Sequence, residues 1–452
     1  MNKNWINEEF KDLSLGDKRL TDRFLSTMKE FELRPDGCIN RIFKDETAAR
    51  KATYRLFKND KFTTKKVFES HSQMTAERMK DHDVVLSIHD SSFFSYNTKP
   101  SIEGLGNIGG SLGDGKETRG FIGHYALGIT EKGLPLGLQA VKTWSRAYES
   151  GWDKESERWV ECLEEAEKLY TKSTKMVFIA DREADQFQIL HDAHHRGHNF
   201  VIRSKHDRMV KGEDHYLSWH MNKSKVLWNV EITIPKEKSK VDAQMKFGTI
   251  TINDTNPQTK KKYGKSGVRD LTLNVIEVKE KTKKEGRDQL RWVLLTNLDV
   301  CSKEDALKII DYYRLRWQIE NYFKVLKGGC CHVEHACLRS FEKLDKYTMC
   351  FSIIAWRMFW MKFMYHTDPQ MPAKSIITDL EIEVLKIRNP EIDENKLTLG
   401  KALKLIAMFG GYNNRKGDGP TGNITLWRGF IIIRDRAQYH EELVKAGKLQ
   451  RP

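Results

Sequence analysis

A chain of 452 residues with 77 Lys and Arg against 63 Asp and Glu carries a formal net charge of +14, and 39% of its residues are hydrophobic. That length and apolar content predict two to four domains with real cores, which excludes global disorder, collagen-like repeats and coiled-coil fibres. The basic surplus is silent on fold but favours a polyanionic partner, either nucleic acid or an anionic membrane surface.

In chain order, the opening MNKNWINEEF lacks the apolar stretch of a secretory signal, so the expectation is a chain that stays in the cytoplasm. Residues up to about 70 read as short helices. Leu13, Leu20, Phe24 and Met28 fall on one face at near-helical spacing, and Asp45 is placed to cap a second helix running through Ala49 to Phe57. An α/β pattern follows. VVLSI (84–88) is an apolar strand run ending at His89 and Asp90; HYALGIT (124–130) and GLPLGLQAV (133–141) read as two strands joined by a turn. A charged helix spans roughly Lys154 to Tyr170. MVFIA (176–180) is a buried strand ending at Asp181, a helix runs to about His195, and NFVIRSK (199–205) is a fifth strand. Three strands, helix, strand, helix, strand is the order of a mixed α/β sheet that starts with a meander.

Between Lys205 and Trp292 the pattern turns to alternating β segments, VLWNVEITI (226–234), GTITI (248–252) and LTLNVIEV (271–278), which predicts an inserted β-rich subdomain. It is decorated by Lys260, Lys261, Lys262, Lys265, Lys279, Lys281, Lys283 and Lys284. The core sheet is expected to resume at RWVLLTNL (291–298), before one long helix from about Lys303 to Lys327. Met349 to Tyr365 is the nearest thing to a membrane span, but Arg357 and Lys362 interrupt it, so it reads as a buried helix and no membrane is expected as partner. Helices fill the remainder, broken by GGYNNRKGDGPTG (410–422).

Asp90 and Asp181 each end an apolar strand, where α/β sheets present side chains to a site. Glu320 sits in the predicted long helix. Three carboxylates from two strand ends and a helix suit a pair of magnesium ions, which take hard oxygen ligands and leave positions open for water and phosphate oxygens. Solvated strand ends remain the plain alternative for each aspartate. Tyr313, Arg316, Glu320 and Lys327 share one broad helical face, so cations and an aromatic flank the acid, as a site gripping a phosphate backbone requires. A surface helix laced with ion pairs is the alternative there. The seven cysteines, Cys38, Cys162, Cys301, Cys330, Cys331, Cys337 and Cys350, are an odd number suited to reduced thiols. Cys330, Cys331, His332, His335 and Cys337 lack zinc-site spacing and are expected to form a strand past the helix. His89 is expected to face the core.

The segment YRLRWQIENYFKVLK, with its Y-x2-R-x3-E-x6-K spacing, and ADREAD (180–185) closely resemble the transposon-five-like members of the insertion-sequence-four group of bacterial DDE transposases. LGDKRLTDR (15–23) and ATYRLFKN (52–59) resemble the family's end-binding domain, SIHDSSFFSY (87–96) its first-aspartate strand, and FVIRSKH (200–206) its fifth strand. GGYNNRKGDGPTGNITLWRG (410–429) resembles its dimerisation region.

The resemblance implies a ribonuclease-H-like α/β mixed sheet with a β-rich insertion at about 207–290 of a catalytic domain 71–366. That domain would be flanked by an N-terminal helical DNA-binding domain, 1–70, and a C-terminal helical dimerisation region, 367–452. It makes Asp90, Asp181 and Glu320 the metal-binding catalytic triad, loaded with two Mg2+ or, as a substitute, Mn2+. Tyr313, Arg316 and Lys327 would hold DNA around an extruded base on which Trp292 stacks. Arg203 and Lys205 would reach phosphates, and Arg19, Arg23, Tyr54 and Arg55 would contact the terminal repeat. The implied activity is cut-and-paste DNA transposition by a homodimer in a synaptic complex, on bacterial nucleoid DNA, through hydrolysis, hairpin formation and 3′-OH strand transfer. A two-metal DNA nuclease on the same fold is the alternative, and a catalytically silent DNA-binding relative a third reading that the intact triad disfavours.

Overall fold

The computed structural model describes residues 5–96, 102–111, 117–148, 152–213, 215–223, 228–234, 237, 239–253, 270–283, 285–286, 288–419 and 421–448. Five helices come first: α1 (Trp5–Glu9), α2 (Lys18–Leu33), α3 (Ile39–Ile42), α4 (Thr47–Lys58) and α5 (Thr64–Met79). The apolar face read in the sequence is that of α2, which buries Phe24, Met28 and Phe31, with Leu20 only half-buried and Leu13 lying ahead of the helix. Asp17 caps α2 by accepting the Arg19 N–H at 2.7 Å. The expected Asp45 cap is corrected: α4 starts one residue later, after Glu46, which makes no side-chain cap bond, and Asp45 is exposed 3.7 Å from Lys44.

The sheet begins with β1 (Val84–Ser95), β2 (Gly106–Ser111), β3 (Glu117–Thr130) and β4 (Pro135–Trp144). Helix α6 (Trp152–Glu167) leads to β5 (Lys175–Ala180), and α7 (Phe187–His195) leads to β6 (Asn199–Arg203). β3 lies between β1 and β4, antiparallel to both, and β1, β5 and β6 run parallel. This mixed order is compatible with the ribonuclease-H-like expectation. β2, too glycine-rich to show as a strand in the sequence, pairs with β3.

Beyond α8 (Leu217–Lys223) come β7 (Trp228–Ile234), β8 (Ser239–Asn253), β9 (Asp270–Glu280) and β10 (Arg291–Thr296). β7, β8 and β9 fall in the span read as a β-rich insertion, and β10 in the segment expected to resume the core sheet. β10 pairs antiparallel with both β6 and β9, so the strands extend one ten-stranded sheet. Lys279 on β9, Lys281 and Lys283 are exposed; Lys260, Lys261, Lys262, Lys265 and Lys284 lie outside the described residues.

The single long helix is also corrected. It is split at Arg316 into α9 (Lys303–Leu315) and α10 (Trp317–Lys324), and continues as a π-helical turn, Val325–Gly329. No strand follows. Cys330 and Cys331 are buried, His332 adopts a left-handed backbone (φ 42°), and Val333–His335 form a 3-10 turn. Then come α11 (Phe341–Thr367), α12 (Asp379–Arg388), α13 (Leu399–Phe409) and α14 (Asn423–Lys445).

α11 is the buried helix expected around Met349–Tyr365. No described helix is long and apolar enough to cross a membrane. Arg357 is 2% exposed and rests over the rings of Trp360 (4.5 Å) and Trp5 (5.7 Å), and burial pushes its pKa down to about 10. Phe31 of α2 stacks on Phe351 of α11 at 4.9 Å. α13 and α14 approach through two glycines. A Cβ on Gly410 would sit 1.8 Å from the Thr425 carbonyl oxygen, and one on Gly429 1.8 Å from that of Ile406, so no larger residue fits either place. One continuous core cluster includes residues from Trp5 to Ala437.

A buried polar cluster fastens α1 to this core. The His71 Nε2 accepts the Leu138 N–H at 2.9 Å, which leaves the proton on Nδ1 to be donated to Glu9 Oε1 at 2.5 Å. Burial lowers the His71 pKa, so the ring is neutral and Arg78, bonded to both Glu9 oxygens, supplies the balancing charge. Burial alone would raise the Glu9 pKa, but His71 and Arg78 outweigh it and bring it to about 2. A depressed carboxylate pKa contributes stability above the ordinary value of 4.5 and loses it as pH falls towards 2. Glu9→Gln is therefore expected to cost about 3 kcal/mol at neutral pH. In urea titrations the gap from wild type should close between about pH 5 and pH 2; a gap independent of pH would contradict the assignment.

Candidate active site

β1 and β5 pair in parallel with Ile88 beside Ile179. Two residues further along each chain stand Asp90 and Asp181, on the same face and at the same level. Asp90 is part-buried, and its Oδ1 accepts the Ser91 N–H at 2.8 Å. Asp181 caps the 3-10 turn Arg182–Ala184, accepting the Glu183 N–H at 2.8 Å. Glu320 reaches the same place from α10 through Arg316, which stands at the helix break. Its Nη1 donates to Asp90 Oδ2 at 3.3 Å and its Nη2 to Glu320 Oε1. Burial raises the Asp90 pKa; Arg316 opposes this, Asp181 and Glu320 add to it, and the result is about 7.

Tyr313 is buried with its ring edge-on to Trp292, centroids 5.2 Å apart; burial raises its pKa, which the nearby Arg316 and Arg203 charges oppose. Arg203 donates to the Arg291 carbonyl at 3.0 Å. Trp292 is 6% exposed, so in this conformation its ring serves the core, the competing possibility to base stacking. Lys327 lies on the π turn; its Nζ donates to the Phe93 carbonyl at 2.6 Å and pairs with Glu334 at 3.4 Å. Lys205 is exposed on the loop after β6. A cleft of about 880 Å3 joins Asp90, Ser92, Glu320 and Lys327 to Gly422 and Ile424 at the start of α14, a wall that no sequence pattern pointed to.

Arg19 and Arg23 are exposed one turn apart on α2, far along the chain from the carboxylates. On α4, Arg55 is exposed and Tyr54 half-buried, its hydroxyl donating to Asn40 at 3.1 Å. His89 faces away from the acids, fully buried beside Ser87 and His124, as its alternation predicts.

Among the described residues no group of three His, Cys, Asp or Glu side chains stands ready-made as an ion cage, which applies equally to Cys330–Cys337 and to the carboxylates. At the carboxylates the reason is visible. The Arg316 guanidinium stands between Asp90 and Glu320, a cation where two of the three carboxylates meet. The donor set thus fits divalent metal, with Arg316 holding the carboxylates together in its place.

Residues 147–355 match the family model described as Transposase DDE domain, and residues 2–62 match Transposase DNA-binding. The chain thus carries a transposase DNA-binding domain and a transposase DDE domain. Asp181 and Glu320 of the transposase fall inside the DDE match and Asp90 precedes it, joined to it by the β1–β5 pairing. Arg19, Arg23, Tyr54 and Arg55 fall inside the DNA-binding match. DNA is thus its partner, and domains of the DDE kind generally work with divalent metal.

Without divalent cation, the raised Asp90 pKa means the folded protein binds that proton more tightly than the unfolded chain, so this group's contribution falls as pH rises from about 4 to about 7. Asp90→Asn, isosteric and uncharged, should stabilise the protein in EDTA at pH 8 by on the order of 1 kcal/mol. The gain should vanish near pH 4 in thermal melts, and a destabilised variant at pH 8 would refute the electrostatic account.

Proposed function

We propose that this transposase moves DNA by cut-and-paste. Residues 1–70 bind the terminal repeats, 71–366 cut and join DNA, and 367–452 pair two copies in a synaptic complex. The observation that carries this reading is Arg316 bridging Asp90 and Glu320, with Asp181 level with Asp90 on the neighbouring strand and Lys327 in the same cleft as Asp90 and Glu320. Asp90, Asp181 and Glu320 would hold two Mg2+ ions, or Mn2+ in their stead; bound there, such ions supply a polarised water and neutralise charge on the phosphodiester.

The rest is the work of the chain's own groups. Arg316 must change partners: once the carboxylates are engaged elsewhere, its paired N–H donors suit phosphate oxygens bidentately. The Arg291 carbonyl fixes one arm of Arg203 beside Tyr313, so Arg203 offers its charge in one orientation. Lys327, released from Glu334, provides point charge on the other side of the cleft. Hydrolysis leaves a 3′-hydroxyl on the element; its attack on the opposite strand's phosphodiester expels the flanking strand's 3′-oxygen and closes a hairpin, and a second hydrolysis breaks the hairpin phosphodiester to restore a 3′-hydroxyl able to join target DNA.

Linear DNA bearing the element's own inverted ends, incubated with Mg2+, should be released through hairpin intermediates. Glu320→Ala should slow end cleavage by on the order of 10³-fold or more while leaving end binding intact. Cleavage at the wild-type rate would remove Glu320 from the site. Lys327→Ala should cleave more slowly with unchanged Mn2+ affinity, and a normal rate would dismiss its phosphate role.

A further inference from the structure

ADREAD contains a second aspartate that the triad leaves unused. Asp185 is fully buried, yet it is surrounded by donors. Its Oδ2 accepts the Lys205 N–H at 2.5 Å, the His206 N–H at 3.0 Å and the Ser204 hydroxyl at 3.2 Å. Its Oδ1 takes the Arg208 guanidinium, whose other arm donates to the Asp185 carbonyl at 2.8 Å. The Asp185 side chain is 0% exposed and that of Arg208 15%. A carboxylate this deep is tolerated only when its lone pairs are filled and its charge is paired, and both hold here. All of these donors belong to the loop 204–208 beyond the end of β6, whose backbone is otherwise tied at its two ends, by the Ser204 N–H to the Val293 carbonyl and by the Arg208 carbonyl to the Leu217 N–H, both at 2.7 Å.

Asp185 lies one 3-10 turn from Asp181. Within that turn Asp181 accepts the Glu183 N–H, the Ala184 N–H reaches the Asp181 carbonyl at 3.3 Å, and the Asp185 N–H reaches that of Arg182 at 3.3 Å. One short piece of backbone therefore carries a triad carboxylate at its start and the anchor of the basic loop at its end. Arg182, Arg203, Lys205, His206 and Arg291 together line a pocket of about 270 Å3 beside it. The excess of guanidinium and ammonium groups suits a phosphodiester oxygen.

We propose that Asp185 is a positioning residue: by holding the loop 204–208 through buried hydrogen bonds, it sets Lys205 and Arg203 at a fixed distance from Asp181, so that a DNA phosphate in the basic pocket registers the neighbouring phosphodiester on the carboxylates. This rests on the proposed DNA-cleaving function. No bond to DNA is made by Asp185 itself.

The test uses the full chain and a linear duplex cut from the DNA flanking its coding sequence. Asp185→Asn keeps shape and one acceptor but removes the charge that holds Arg208. It should fold cooperatively and bind Mn2+ as wild type does, while DNA affinity falls about threefold to tenfold and the slope of log K against log salt shrinks by about one. KM should rise by more than kcat falls. Lys205→Ala should lose a similar amount, and the Asp185→Asn/Lys205→Ala double variant should lose no more than the weaker single, because both act on one phosphate contact. Additive losses, or a wild-type salt slope in Asp185→Asn, would overturn the inference. Should Asp185→Asn fail to fold, Ser204→Ala removes one bond to Oδ2 and should shift affinity and salt slope in the same direction; no shift overturns the inference equally. If wild type neither binds nor cleaves the duplex, the proposed function fails and this inference with it; normal wild-type behaviour with additive variants sinks the inference alone.

Discussion

The parallel pairing of β1 with β5 is the constraint on which the rest depends. It brings two aspartates side by side, Asp90 within β1 and Asp181 just past the end of β5, each two residues beyond a wholly buried isoleucine, Ile88 and Ile179. Carboxylates so placed have little water to spread their charge into, and a third arrives from α10. Such a grouping is unfavourable by itself, as the Asp90 pKa near 7 records. A cation makes it tolerable, and the chain provides one of its own in Arg316. The site is therefore charged for a cation before any arrives, and protein stability is set against readiness for chemistry.

Arg316 does this because the helix that carries it is not regular. At Arg316 the backbone tightens, its N–H reaching the Tyr313 carbonyl at 3.0 Å in a 3-10 step before α10 begins. Nine residues later the winding loosens into a π turn, which swings Lys327 towards the Phe93 carbonyl on β1. One tight and one loose step within a single apolar-faced segment redirect two cations towards the end of β1. A uniform helix would share the same broad face, but without the local rotations that give Arg316 two carboxylates and Lys327 a strand carbonyl. Irregular helical turns concentrate where side chains must be aimed, and these two follow that rule.

Local apolar runs located the two aspartates, although β1 continues past Asp90 to Ser95 where the sequence reading ended it, and the pairing of distant strands shows only in the folded chain. VVLSI and MVFIA are buried on both faces, so their continuous hydrophobicity and abrupt ends at Asp90 and Asp181 were visible residue by residue. The pairing of β6 with β10 joins residues about 90 apart, Arg203 beside Leu294, and no local signal fixes that register. The break at Arg316 was hidden for another reason: YRLRWQIENYFK has neither Gly nor Pro, so the usual punctuation is missing. Trp292 reads as an aromatic fit for stacking, but alternation along β10 turns it onto Tyr313. Asp185 lay in a quoted motif, yet its importance comes from donors about 20 residues away that only the turn after Asp181 brings within reach.

The terminal helical segments are not appendages to this centre. Arg434 of α14 is buried between Glu32 of α2 and Glu381 of α12, donating to the Glu381 carboxylate at 3.0 Å and to the Glu32 carbonyl at 2.9 Å. Its charge is stable there because both carboxylates outweigh the cost of burial. The same helix begins at Gly422 and Ile424, against the cleft that holds Asp90 and Glu320. A displacement of α14 along its axis would act at both ends together, on the ion pairs to α2 and on the wall of the carboxylate cleft. The mutual glycine contact with α13 resists that sliding, since Gly410 and Gly429 meet backbone oxygens with no room to spare. The cleft at Asp90 and Glu320 and the seating of α2 are thus joined through one helix, which touches the ion pairs to Glu32 and Glu381 and the wall of that cleft alike.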